Sequence, residues 1–198
     1  MNSSLLRRAA LYFIVALAGS SPGWSQTPQT GPADATILLI RHAEKPESGV
    51  GLSEAGEKRA NAYPGFFEKF QIDSKAVRLD FLIATRDSDN SQRPKLTLQP
   101  VASALQLPLE TPFKNKDSGL LAEQLKAPKY RGKTILICWH HGHLPDLLLA
   151  LGADPARLFP SGKWPEGVFN WLVQLRYNNE GRLKDSAVIN EKLLPFDS

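Results

Sequence analysis

The stretch Ile37-Leu38-Leu39-Ile40-Arg41-His42-Ala43-Glu44-Lys45-Pro46 decides the fold. Its apolar run, with Thr36 ahead of it, is too short for a helix and rich in branched residues. It therefore reads as a strand buried on both faces. Doubly buried strands belong to parallel sheets covered by helices. In open sheets of that kind, ligands bind beyond the carboxyl ends of the strands. Arg41, His42 and Glu44 leave the strand at such an end.

Working outward, three further apolar runs have the same character: Phe81–Thr85, Thr134–Trp139 and Val168–Tyr177. Helical windows lie between them, at Ser53 to about Phe70, Pro94–Leu105, Gly119–Lys126 and Pro145–Leu151. Pro64 and Pro100 fall inside two of these windows and predict a kink or an end there. Strands that alternate with helices imply a mainly parallel sheet with helices on both faces. The last run differs. Asn178, Asn179, Glu180 and Gly181 follow it, and then a second apolar-containing stretch through Ile189, which predicts an antiparallel hairpin at one edge. The expected fold class is α/β: a three-layer sandwich with a mainly parallel central sheet, helices on both faces and a C-terminal antiparallel hairpin.

With 198 residues, 42% of them hydrophobic, the chain can bury the core of one domain, expected over residues 36–198. Ahead of it, Arg7 and Arg8 precede an apolar stretch, Ala9–Ala18, that gives way to small residues and turn formers. This reads as a signal peptide over residues 1–25, with cleavage after Ser25, and the apolar stretch is too short to span a bilayer comfortably. Residues 26–35, rich in Pro, Gly and Thr, read as a flexible leader. A periplasmic or secreted protein with no stable membrane insertion after signal removal is expected. The single cysteine, Cys138, excludes an intrachain disulfide. The net charge of +4 includes Arg7 and Arg8, so removing the signal would leave +2 with no long basic run, which argues against a nucleic-acid partner.

All but one of the four histidines fall in one short segment, His140, His141 and His143, at the exit of the Thr134–Trp139 run. The fourth, His42, follows the first strand. Arg41 and Arg93 lie at the same sheet edge, and guanidinium forks match phosphate oxygens, so the combination points to phosphoryl chemistry.

Four ordered elements resemble the histidine phosphatase superfamily, branch 1, the phosphoglycerate mutase-like type, over nearly all of the chain beyond the leader. Arg41-His42-Ala43-Glu44 is similar to the family's Arg-His-Gly or Arg-His-Ala signature. Leu52-Ser53-Glu54-Ala55-Gly56 is similar to its Leu-Thr-x-x-Gly helix start, with Ser53 as N-cap. Arg93, Thr97, Pro100 and Ala102 resemble the helix that supplies a second phosphate-binding arginine. Ile135 to His140, followed by Leu144 and Pro145, resembles the strand that presents the second catalytic histidine. Landmarks on both sides favour His140 for that role; His141, directly before Gly142, is the competitor. The loop from Arg86 to Gln92 departs from the family's Ser-Pro-x-x-Arg form, and Arg86, Asn90 and Ser91 are further phosphate-ligand candidates.

The resemblance implies an exported phosphatase that hydrolyses a small phosphomonoester. Neutral His42 would attack phosphorus to give a phosphohistidine, and Arg41, Arg93 and His140 would hold the oxygens. No cofactor or metal is implied. The general acid stays open among Glu44, Glu110, Asp117 and His141. His143 reads as structural or as a substrate contact. Lys163 and Trp164 either line the substrate mouth or pack within their loop, while Phe169 and Trp171 read as core of the hairpin. The rival functions are a phosphomutase, a phosphate-binding protein without turnover, and a metal carrier built on His140, His141 and His143.

Overall fold

The computed structural model describes residues 30–195 and 197. The expected signal peptide, residues 1–25, lies outside the described residues, as do residues 26–29 of the expected leader. In chain order the elements are β1 (Thr36–Arg41), α1 (Glu54–Lys69), β2 (Gln71–Ile72), β3 (Lys75–Ala76), β4 (Phe81–Ala84), α2 (Arg93–Leu105), β5 (Leu109–Glu110), α3 (Ser118–Leu125), β6 (Thr134–Trp139), α4 (Leu144–Ala150), α5 (Pro155–Leu158), β7 (Trp171–Tyr177) and β8 (Leu183–Asn190). Six of the strands form one sheet in the order β5-β4-β6-β1-β7-β8. β5, β4, β6 and β1 run parallel, and β7 and β8 are antiparallel additions at the β1 side.

The alternation of side chains along a strand splits the core into two layers. Ile37 and Leu39 of β1, with Ile135 and Ile137 of β6, face Leu121 and Leu125 of α3 and Leu144, Leu147 and Leu148 at α4. Leu38 and Ile40, with Leu136 and Cys138, face Tyr63 and Phe67 of α1 and Leu98 and Val101 of α2. The molecule is thus the expected α/β three-layer sandwich, helices on both faces, closed by the hairpin.

Pro64 and Pro100 lie inside continuous helices, because α1 and α2 are held by their packing on the sheet and on each other, which outweighs a missing backbone donor. Residues 30–35 pack on the body: the backbone amides of Thr30 and Gly31 both donate to the Gly181 carbonyl at 3.0 Å, and Asp34 N–H to that of Asn178 at 2.8 Å. Gly31 sits so close to the Tyr177 ring that a Cβ there would lie 2.2 Å from it.

Candidate active site

β1 and β6 are neighbours in register, with Arg41 opposite Trp139. His42 and His140, each one residue further on, therefore emerge side by side at the carboxyl end of the sheet. The His42 N–H donates to the Trp139 carbonyl at 3.1 Å, and the two imidazole rings meet edge to face with centroids 5.0 Å apart. His141 borders a separate pocket with Pro145, Trp164 and Glu166. The three histidines of the segment do not converge. Among the described residues, no group of three or more His, Cys, Asp or Glu side chains is arranged to hold a metal ion.

Burial sets the charge of both rings. His42 is only 3% exposed, and its desolvation pushes the pKa down to about 3. Burial pushes His140 down to about 4, with Arg93 and the other two histidines of its segment adding to the effect. Both are neutral near pH 7. Nδ1 of His42 lies 2.7 Å from the Ala43 carbonyl, an acceptor only, so Nδ1 carries the proton and Nε2 keeps its lone pair.

Arg41 is 1% exposed and firmly held. One terminal nitrogen donates to the carbonyls of Glu166 and of Val168, the latter at 3.0 Å, and the Phe169 ring lies under the guanidinium carbon at 3.7 Å. Phe169 is therefore a platform for Arg41 rather than hairpin core; β7 begins two residues later, at Trp171. Arg41, pushed down to about 10 by burial, stays cationic. Arg93, the first residue of α2, rests weakly on the carbonyls of Gly49, Val50 and Asn90, each at 3.4 Å. The Nε atoms of both arginines are buried and have no hydrogen-bond partner in the protein. Two forked donors thus flank the histidine pair with capacity to spare.

The surrounding motif residues hold this arrangement. Ser53 caps α1 by accepting from the Gly56 N–H at 3.1 Å, and its own N–H donates to the Glu44 carbonyl at 3.0 Å. The hydroxyl of Thr97 donates to the Arg93 carbonyl at 2.8 Å and accepts from the Ala43 N–H at 2.9 Å. It ties the loop after His42 to the helix that carries Arg93. Glu44 is engaged by Arg59 through bonds of 2.7 to 3.1 Å, and Arg59 also grips Asp197. Tyr63 beside it donates to Glu191 at 3.0 Å. This polar cluster escaped the sequence reading. Its one signal is that Arg59 lies in the buried stripe Gly56, Ala60, Tyr63, Phe67 of α1.

A cleft of about 710 Å³ opens beside the histidine pair; Arg93, His140, His143, Asp87, Asp89 and Lys114 border it, whereas His42 and Arg41 do not. Arg86, Asn90 and Ser91 border it as well. Trp164 is buried, donates its indole N–H to Val168 and packs on Phe159 and Trp171, so it is core; Lys163 borders the pocket of His141.

No family model matches the sequence, and no curated protein matches it. Solved structures do resemble it. The protein histidine phosphatase SixA, solved with tungstate, superposes with a TM-score of 0.55 at 17% identity, over 79% of this chain and 97% of that one. A mutant phosphoserine phosphatase from Entamoeba histolytica in complex with phosphoserine gives 0.53 at 15% identity, over 81% and 99%. Phosphoglycerate mutase from Plasmodium falciparum gives 0.50 at 16% identity, over 83% and 96%. With a mainly parallel sheet that presents two histidines at adjoining strand ends, the chain shares the fold of these phosphatase and mutase structures.

Proposed function

We propose that this protein is a phosphatase that hydrolyses a small phosphomonoester through a phosphohistidine on His42. The observation that carries the reading is the state of His42. Its Nδ1 is fixed on the Ala43 carbonyl at 2.7 Å, its ring is neutral, and the ring of His140 lies 5.0 Å away. Nε2 is then a nucleophile that need not lose a proton before it attacks. As it bonds to phosphorus and the ester bond breaks, charge on the equatorial oxygens is met by Arg41 and Arg93, with His140 as a neutral hydrogen-bond donor. Water then cleaves the phosphorus–nitrogen bond and restores His42.

The N-terminal pattern of Arg7, Arg8 and the following apolar stretch supports export to the periplasm or beyond, with the mature chain starting at Gln26. Terminal sequencing of protein recovered from a periplasmic extract checks that cleavage. For the chemistry, His42→Ala should lower turnover of 4-nitrophenyl phosphate by at least about a thousandfold, since the nucleophile itself is removed. Brief incubation of the wild type with substrate, followed by an alkaline quench, should trap phosphate on His42. Wild-type rates retained by His42→Ala would overturn the assignment.

A further inference from the structure

A phosphomonoester with an alkyl leaving group needs a proton at its departing oxygen, and the four residues raised for that task are placed elsewhere. Glu44 is taken up by Arg59. Glu110, on β5, pairs with Lys129 at 3.8 Å. The Asp117 carboxylate accepts from the Lys114 backbone N–H at 2.9 Å at the start of α3. His141 borders the other pocket. None of the four borders the cleft that contains Arg93 and His140.

His143 does. One turn of 3-10 helix follows His140, and the His143 N–H donates to the His140 carbonyl at 2.9 Å, which sets the two residues on one wall of the cleft. Nδ1 of His143 lies 3.3 Å from the Asp146 carboxylate, and 39% of the side chain is exposed toward the cleft and solvent. A carboxylate on Nδ1 fixes that nitrogen as the protonated one and leaves Nε2 to exchange protons. Two carboxylates border the same cleft: Asp87, ion-paired with Lys95 at 3.1 Å, and Asp89, which is exposed.

We infer that His143, oriented by Asp146, is the proton donor to the leaving group. The inference rests on the phosphohistidine reading above. As Nε2 of His42 bonds to phosphorus, the Nε2 proton of the His143 imidazolium passes to the ester oxygen and the alcohol departs. Neutral His143 then takes a proton from the water that attacks the phosphohistidine, which returns both residues to their starting states. His143 thus serves as acid in the first half-reaction and base in the second.

Leaving-group dependence tests this directly. Wild type, His143→Gln, Asp87→Asn and His42→Ala are compared on 4-nitrophenyl phosphate, whose leaving group departs without help, and on glycerol 2-phosphate, whose alkoxide does not. His143→Gln should lose about a hundredfold or more on glycerol 2-phosphate and less than about tenfold on the aryl ester. Equal losses on both esters, or the selective loss appearing in Asp87→Asn instead, would overturn the inference. So would a wild type that turns over only the aryl ester. His42→Ala separates the two readings: if it keeps aryl turnover, the phosphohistidine has failed, whatever His143 does. A series of substituted phenyl phosphates on the wild type serves should the variant fold poorly. A shallow dependence of rate on leaving-group acidity is expected, and a steep one contradicts a donor in place.

Discussion

Buried ionisable residues near the site respond to pH in opposite senses. Glu191 is wholly enclosed, and burial raises its pKa from 4.5 to about 8 despite the Tyr63 hydroxyl. In that window the folded chain holds a proton that the unfolded chain releases, so the contribution of Glu191 to stability is full below 4.5 and lost as pH rises toward 8. His42 and His140 act the other way. Their lowered values mean that the unfolded chain takes up protons first as pH falls below 6.5, so stability drops on the acid side. Replacing Glu191 by Gln should flatten the decline between 4.5 and 8, as read from urea midpoints at the two ends of that range. An unchanged slope would place the proton elsewhere. None of this was legible in the sequence, where Glu191 is one charge near the end of the chain. Its neighbours come from α1, more than a hundred residues away along the chain.

At the scale of the element, two glycines of α1 separate geometry from propensity. A Cβ on Gly56 would lie 2.4 Å from the Glu44 carbonyl oxygen, a backbone atom that cannot swing aside. Gly56→Ala should therefore push the helix start away from the loop after His42. A loss of about 1 to 3 kcal/mol in a urea titration is expected, with a fall in turnover. Gly65 meets nothing within 4 Å, and Gly65→Ala should stabilise by about 0.5 to 1 kcal/mol, as it does in any exposed helix interior. The helix start Leu52–Gly56 was readable as a motif, and Ser53 as its cap. The reason for the glycine was not, because it depends on where the Glu44 carbonyl lies. The same holds for Thr97, whose hydroxyl joins two motifs that are 54 residues apart.

Across the whole molecule, the sheet and its helices were legible because each buried strand is a short branched run bounded by polar residues. Thr134–Trp139 matches its strand residue for residue. β5 was not legible, since two residues carry no period, and it exists only because β4 offers it an edge. Of the site, the strand-end residues were readable, while the partners that hold them were not. Arg59 is the clearest case: it joins α1 to Glu44 and to Asp197 with side-chain exposures of 2%, 17% and 3%. Arg59→Ala leaves two carboxylates without their cation in a dry setting and should cost about 3 to 5 kcal/mol of unfolding free energy, measured by denaturant. A cost below about 1 kcal/mol would mean that water reaches the cluster.

Arg41 is clamped between the carbonyls of Glu166 and Val168 and the face of Phe169 before any anion arrives. A guanidinium already immobilised loses little rotational freedom on binding, so on the reading proposed above the site would take a small oxyanion without having to order itself around it. The same economy applies to the product. On the phosphatase reading proposed above, inorganic phosphate matches the fork as well as the ester does and should compete with it for the site.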